Sequence, residues 1–314
     1  MSRVAAIDCG TNSIRLLIAE AVNRHLRDVH REMRIVRLGQ GVDATGRLAP
    51  EALERARAAL TDYAALCARH AVQRVRMVAT SAVRDAANRD AFFAMTAGVL
   101  GAVMPGAMAE AISGAQEAEL SFRGAVSELD PVGAPFVVVD VGGGSTEIVL
   151  GGPDGVRASV SVDIGCVRLT ERCLHADPPA PDEVATARRV VREQLAAALR
   201  VVPVEEARTW VGVAGTMTTL SALAQRLTTY DAAAIHLSRV RRNELLTACE
   251  QVIGMARRQR AALGPMHEGR ADVIGGGAII VDELARLLHE RAGIGELIVS
   301  EHDILDGVAA SIIA

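Results

Sequence analysis

Residues 3–8 (RVAAID) are an apolar run that ends on an acid, Asp8. The CGTNS segment then turns and IRLLIAE continues as a second apolar run, which predicts a β-hairpin about a glycine-bearing turn. Basic and apolar residues alternate around 28–38 and predict a third strand. From Pro50, PEALERARAALTDYAALCARHA has helical periodicity, with proline at the first position, where its missing N–H costs nothing. RVRMVATSA (74–82) predicts a short buried strand leading into helix after Arg84. Ala109–Ile112 predicts another strand, and SGAQEAELSFRGAV a helix capped by Ser113.

SELDPVGAP (127–135) is rich in turn formers and places the expected domain boundary: a first domain over 1–126 and a second over 127–314, with the segment 301–314 free to pack back on the first. The pattern then restarts. PFVVVD ends on an acid, VGGGS turns, and TEIVLGG extends onward. Asp8-x-Gly10-x-x-Ser13 matches Asp140-x-Gly142-x-x-Ser145 inside the same strand–turn–strand context, so the chain reads as two related halves. Further on come a strand near 156–163, a helix from Gly165, a long helix from Pro181 to Arg200, and strand–turn–helix over 209–224. Arg239–Ala262 reads as largely helical, as does the stretch after GRADVIGGGAII. ELIVS (296–300) is a short strand, and a last amphipathic helix starts at Asp303.

Composition narrows the function classes. With 314 residues, half of them apolar, the chain can fill more than one core. A formal charge of -4 argues against a general nucleic-acid or membrane-surface binder. No apolar run approaches the ~18–20 residues a bilayer span needs, and Met1 is not followed by a signal-peptide pattern. A cytoplasmic protein without nucleic-acid or membrane partners is expected. The five cysteines form no CxxC pair and read as reduced thiols. All 34 basic residues are arginine, which excludes a P-loop lysine, Schiff-base chemistry and pyridoxal attachment. Phosphate chemistry here must rest on backbone N–H groups, arginine and metal.

The repeated turns suit that chemistry. Glycines 10, 142, 143 and 144 let consecutive main-chain N–H groups approach an anion closely. Asp8 and Asp140, one at each strand end, would face a shared cleft if the halves are related by pseudo-symmetry. Carboxylates beside a bound phosphate need a cation between them, and Mg²⁺ fits that need.

DCGTNSIRLLIAE, TSAVRDAAN, ISGAQEAELSF, DVGGGSTEIVLG and GVAGTMTTLSALA, in this order, resemble the exopolyphosphatase/guanosine-pentaphosphate phosphatase (Ppx/GppA) family in its short two-domain form. The resemblance implies an α/β fold of two duplicated ribonuclease-H-like domains, the actin/heat-shock-ATPase/sugar-kinase fold, with an interdomain cleft. It implies Glu117 as general base for the attacking water, Arg84 on substrate phosphate, and Asp140 and Glu147 on Mg²⁺ or the attacking water; Asp8, the matching strand-end acid of the first half, is expected on Mg²⁺ with them. The amides of Gly10, Thr11, Asn12 and Ser13 and of Gly142, Gly143, Gly144, Ser145 and Thr146 would cradle phosphate, and Gly215 and Thr216 would line the opposite wall. The implied activity is release of terminal orthophosphate from inorganic polyphosphate, or conversion of guanosine pentaphosphate to the tetraphosphate. A kinase-like phosphotransferase and a non-catalytic alarmone or polyphosphate sensor are more distant alternatives, and a homodimer stays open.

Two positions depart from the family pattern. Ala115 stands where many members carry an acid, and Glu119 where arginine is common; an acid facing the cleft would weaken polyanion binding. Plainer readings stand beside the sharp ones. Glu117 lies near a helix start, where acids are favoured anyway, and Arg84 has Asp85 and Asp90 as near partners. His175, His236, His267, His289 and His302 are scattered singly and suggest no metal cluster. DVIGGGA (272–278) reads equally as a bed for a purine or as close helix packing.

Overall fold

In the computed structural model, which describes residues 3–22 and 25–313, the first predicted hairpin is β1 (Arg3–Cys9) and β2 (Ser13–Val22), followed by β3 (His25–Ile35). Next come α1 (Val42–Thr45), α2 (Pro50–Arg69), β4 (Arg74–Ala79), α3 (Ser81–Asp85), α4 (Arg89–Gly101), β5 (Ala109–Ala111) and α5 (Gly114–Val126). The strands form one mixed sheet in the order β3-β2-β1-β4-β5. β1 and β2 run antiparallel, whereas β4 lies parallel to β1.

The second hairpin is β6 (Phe136–Val141) and β7 (Thr146–Gly152), followed by β8 (Gly155–Val162). Then come α6 (Cys166–Cys173), α7 (Pro181–Ala198), β9 (Thr209–Val213), α8 (Ala214–Ala224), α9 (Ala232–Ile235), β10 (Arg239–Arg241), α10 (Arg242–Gly254), α11 (Arg257–Ala261), α12 (Ile274–Ala292), β11 (Glu296–Val299) and α13 (Ile304–Ile313). Their sheet has the order β8-β7-β6-β9-β11-β10. The first five positions repeat the first sheet strand for strand, so the duplication read from one motif extends to the topology. β10 is the exception: helix was expected from Arg239, but these three residues pair antiparallel with β11 at the sheet edge before α10 begins.

The chain divides into two units, Met1–Gly124 with Ile304–Ala314, and Ala125–Asp303. Within the first unit the two-residue period of β1 supplies both faces of the sheet. Ala5, Ile7 and Cys9 enter a core that includes Leu60, Tyr63 and Phe92 of α2 and α4. Val4 and Ala6 enter a second core with Leu120, Ile304, Leu305 and Val308. Asp8 follows in the Val4–Ala6 series and therefore emerges at the end of that second face. In α2 the buried residues Ala52, Ala56, Ala59, Leu60, Tyr63, Ala64 and Cys67 recur at three- and four-residue spacing, and Tyr63 donates its hydroxyl to the Ile14 carbonyl at 3.1 Å.

In the second unit Val137, Val139 and Val141 share one core with Ile148, Trp210, Met217 and most of α12. The opposite face of β6 carries Val138 and then Asp140. α12 ends where Gly293 takes the left-handed conformation, at φ 69, and donates its N–H back to His289.

Candidate active site

Asp8 and Arg15 are directly opposed across β1 and β2, which puts both side chains on one face of the sheet. Arg15 Nη2 and Nε both donate to Asp8 Oδ2, at 2.6 and 3.1 Å. Beyond them Gly10 N–H closes the turn on the Ser13 carbonyl at 2.9 Å. The Thr11 carbonyl accepts from Gly39 N–H at 2.8 Å, and the Asn12 carbonyl from Val36 and Arg37 N–H at 3.0 and 2.8 Å. A trans peptide points its C=O and N–H in opposite directions. With these carbonyls turned toward residues 36–39, the N–H groups of Asn12 and Ser13 point to the other side, where an anion can meet them.

Glu117 sits in the first turn of α5, whose start is fixed as expected. Ser113 Oγ accepts from Gln116 N–H at 3.2 Å while Gln116 Oε1 accepts from Ser113 N–H at 2.9 Å, a reciprocal capping box. The Glu117 side chain is largely buried, and its Oε2 accepts from Arg84 Nη1 at 2.6 Å. The same nitrogen donates to the Ile112 carbonyl at 3.0 Å. Arg84 thus pairs with the expected base itself. Glu119 is exposed and forms an ion pair one helical turn on with Arg123, at 2.6 Å, so part of its charge is offset locally.

The second turn is built alike but charged differently. Gly142 N–H closes it on the Ser145 carbonyl at 3.1 Å. Asp140 and Glu147 occupy the places that Asp8 and Arg15 hold in the first hairpin, directly opposed across β6 and β7. Their exposures are 7% and 1%. Like charges so placed, with Cβ atoms roughly 4.5–5.5 Å apart, destabilise a sheet unless something offsets them. Next in the row stands Ser161 on β8, whose Oγ donates to Glu147 Oε1 at 2.6 Å. Two buried carboxylates on one face are a donor set of the kind Mg²⁺ takes, with water and phosphate oxygens completing its shell. The residues fit the ion.

The glycines of this turn lean on α6. Gly142 O accepts from Cys166 N–H at 2.9 Å, and Gly143 O from Val167 and Arg168 N–H at 2.9 and 3.1 Å. The first donors of α6 are consumed there, and the N–H groups of Gly143 and Gly144 are turned to the opposite side. The approach is close enough that a Cβ at Gly165 would lie 2.4 Å from the Gly143 carbonyl. Ser145 is buried. Thr146, expected in the cradle, is fully buried, and its hydroxyl donates to the Ile164 carbonyl at 2.6 Å; its side chain braces the turn from behind.

Gly215 and Thr216 form the first turn of α8, entered through Ala214 in the left-handed region at φ 67. Sequence reading missed what lies against them. The Arg270 guanidinium donates to Gly215 O at 3.4 Å and to Thr219 Oγ1 at 3.2 Å, and a Cβ at Gly215 would meet Arg270 Cζ at 2.2 Å. Behind Thr216 lies Cys166, whose thiol is pushed up to about 11 by burial, with the Thr216 hydroxyl and Arg270 pulling the other way. Fifty-odd residues separate Arg270 from Gly215, so no local pattern announced the pair.

The two readings of DVIGGGA are separated by packing. Gly275, Gly276 and Gly277 are buried in the first turns of α12. A Cβ at Gly276 would lie 2.8 Å from the Cys166 carbonyl, and one at Gly277 2.6 Å from Thr216 Cγ2. The glycines let α12 approach α6 and α8, and their surface is already covered within this unit.

The histidines are less solitary than they read. His236 Nε2 lies 3.0 Å from Glu128 Oε2, His302 Nδ1 lies 3.5 Å from Glu128 Oε1, and the two rings are 4.6 Å apart. All three residues offer ligand atoms within 4.8 Å of one another. Yet Glu301 N–H donates to His236 Nδ1 at 3.2 Å. A neutral ring that accepts there carries its proton on Nε2 and donates it to Glu128, leaving no lone pair for a metal. The His236 hydrogen bond holds the Glu128 carboxyl below its ordinary range.

Residues 17–311 match the Ppx/GppA phosphatase family. The chain is 72% identical to Exopolyphosphatase 2 of Mycobacterium tuberculosis (strain H37Rv), covering 99% of each. Among solved structures, an exopolyphosphatase-like protein superimposes with a TM-score of 0.93 at 40% identity, covering 99% of this chain and 98% of that one. The Aquifex aeolicus member of the Ppx/GppA family superimposes with a TM-score of 0.81 at 31% identity, covering 99% and 97%.

Proposed function

The chain belongs to the Ppx/GppA phosphatase family, and we propose that it is a Mg²⁺-dependent exopolyphosphatase that releases orthophosphate from the end of inorganic polyphosphate. The observation that carries the reading is the contrast between the duplicated hairpins. One strand-end acid is neutralised by an arginine, and the other is doubled by a second acid. A doubled, buried carboxylate beside outward-turned amides suits a cation and a polyphosphate together. The full-length likeness to Exopolyphosphatase 2 supports the same substrate.

In this reading the N–H groups of Asn12, Ser13, Gly143 and Gly144 bind phosphate oxygens, with Gly10, Thr11, Gly142 and Ser145 shaping the two turns. Gly215 and Thr216, at an α8 N-terminus, favour a further phosphate. Glu117 orients a water and takes its proton as the oxygen attacks the terminal phosphorus. The P–O bond to the chain breaks as the new one forms, giving orthophosphate and a chain one unit shorter. Arg84, bonded to Glu117 Oε2, fixes its direction and is also assigned to the substrate phosphate. Mg²⁺, when bound by Asp140 and Glu147, supplies charge neutralisation of the phosphate oxygens. Asp8 was also expected on the ion; its Oδ2 is engaged by Arg15, and the ion is assigned here to the Asp140–Glu147 pair. Five buried, unbridged cysteines suit a reducing cytoplasm, and no helix among the described residues is long and apolar enough to cross a membrane.

Guanosine pentaphosphate presents an equivalent terminal phosphoryl group and is the second reading. The glycines of α12, the feature that would have favoured a purine, are covered by α6 and α8, so polyphosphate ranks first. Purified protein with Mg²⁺ should release orthophosphate from polyphosphate with a higher kcat/KM than from guanosine pentaphosphate. A clear preference for the nucleotide would reverse the ranking, and inertness toward both would remove the proposal.

A further inference from the structure

The second hairpin continues into β8, so three residues stand in one cross-strand row: Asp140, Glu147 and Ser161. The corresponding row of the first unit is Asp8, Arg15 and Met33. Each row contains one donor to a carboxylate. In the first it is the central Arg15, which closes on Asp8. In the second the centre is itself an acid, and the donor is the outer Ser161, at 2.6 Å from Glu147 Oε1. Where the duplicated scaffold holds apolar Met33, this unit holds a hydroxyl aimed at the second carboxylate.

We propose that Ser161 is a positioning residue for the metal site: its hydroxyl holds Glu147 in the one rotamer that sets the carboxylate beside Asp140. An O–H···O⁻ bond this short is charge-assisted and among the stronger side-chain hydrogen bonds. It acts on a side chain that is 1% exposed, where little water can substitute for the lost donor. Without it, Glu147 is driven away from Asp140 by like charge, and each cation bound must first restore the geometry. Residues that orient metal ligands in this way change metal affinity by about 10–100-fold when removed. Threonine keeps the hydroxyl and is well suited to a strand, so it separates the hydroxyl's role from the space it fills.

This inference rests on Asp140 and Glu147 being the metal ligands, and the experiment tests the two separately. Mn²⁺ binding to the purified full chain, without substrate, is followed by electron paramagnetic resonance for the wild type, Glu147→Gln, Ser161→Ala and Ser161→Thr. The expected pattern is loss of the site in Glu147→Gln, affinity weakened about 10–100-fold in Ser161→Ala, and near wild-type affinity in Ser161→Thr. With polyphosphate as substrate, Ser161→Ala should need correspondingly more Mg²⁺ for half-maximal rate, while KM for polyphosphate at saturating Mg²⁺ stays unchanged. Wild-type affinity in Ser161→Ala, with the site lost in Glu147→Gln, overturns the role of Ser161 alone. Binding unaffected by Glu147→Gln overturns the ligand assignment and this inference with it. If Ser161→Ala fails to fold, a Ser161→Thr protein that folds but binds Mn²⁺ as weakly as Glu147→Gln overturns the role of the hydroxyl.

Discussion

Arg84 reaches from the last turn of α3 to the first turn of α5 and holds Glu117 at 2.6 Å, while anchoring itself on the Ile112 carbonyl. A base gripped in this way has its direction fixed before substrate arrives. Its contribution therefore lies in orienting the water as well as in taking its proton.

Glu117→Gln keeps the size and the hydrogen-bonding reach of the side chain but cannot accept the proton. Turnover of polyphosphate should fall by about 10²–10⁴-fold, with substrate affinity little changed. Single-turnover rates and equilibrium binding to the same polyphosphate check this. Undiminished turnover would remove Glu117 from the reaction.

Chelation should silence the enzyme. EDTA is expected to abolish orthophosphate release, and excess Mg²⁺ to restore it, because Asp140 and Glu147 repel each other and the substrate when no cation lies among them. Full activity in metal-free buffer would contradict the carboxylate–cation scheme.

The phosphate turn of the second unit depends on a contact between two stretches of main chain. At Gly165 an added Cβ meets Gly143 C and O at 2.4 Å and Gly144 N at 2.6 Å, and main chain cannot step aside as a flexible side chain would. Gly165→Ala should cost about 1–3 kcal/mol of stability and displace the amides of Gly143 and Gly144, raising KM for polyphosphate. Denaturant unfolding and steady-state kinetics measure the two effects. A variant with native stability and native KM would show that the turn tolerates the shift.

Stability should decline on the alkaline side. Burial pushes the Cys166 and Cys67 thiols up to about 11 from an ordinary 9.0, and Cys249 moves in the same direction. A raised folded value means that the native state holds protons the unfolded chain releases. The stabilisation is whole below pH 9, falls as pH rises above it, and is spent by about pH 11. For Cys166 the change is about 3 kcal/mol. Urea midpoints at pH 8 and 10.5 should differ, and Cys166→Ala should narrow the difference; equal midpoints would contradict the burial argument.

Much of this was legible in the sequence because it is local. Asp8-x-Gly10-x-x-Ser13 and Asp140-x-Gly142-x-x-Ser145 announced the duplication, since strand, turn and strand lie within a dozen residues. Ser113 announced the start of α5. The features that escaped depend on register or distance. That Arg15 neutralises Asp8 while Glu147 doubles Asp140 is plain only once the strands are paired. Ser161 needs β8 in place beside β7, and Arg270 needs a return of the chain to α8. The edge strand β10 is too short to show a period, and the glycines of α12 look like a turn until α6 and α8 are packed on them.

The central claim is that the cation belongs to the Asp140–Glu147 pair. Crystals grown with Mn²⁺ would test it most directly, through the anomalous signal of the metal. The account predicts a peak coordinated by carboxylate oxygens of both Asp140 and Glu147, lost in Glu147→Gln. A peak held by Asp8 with neither Asp140 nor Glu147 in contact would contradict it.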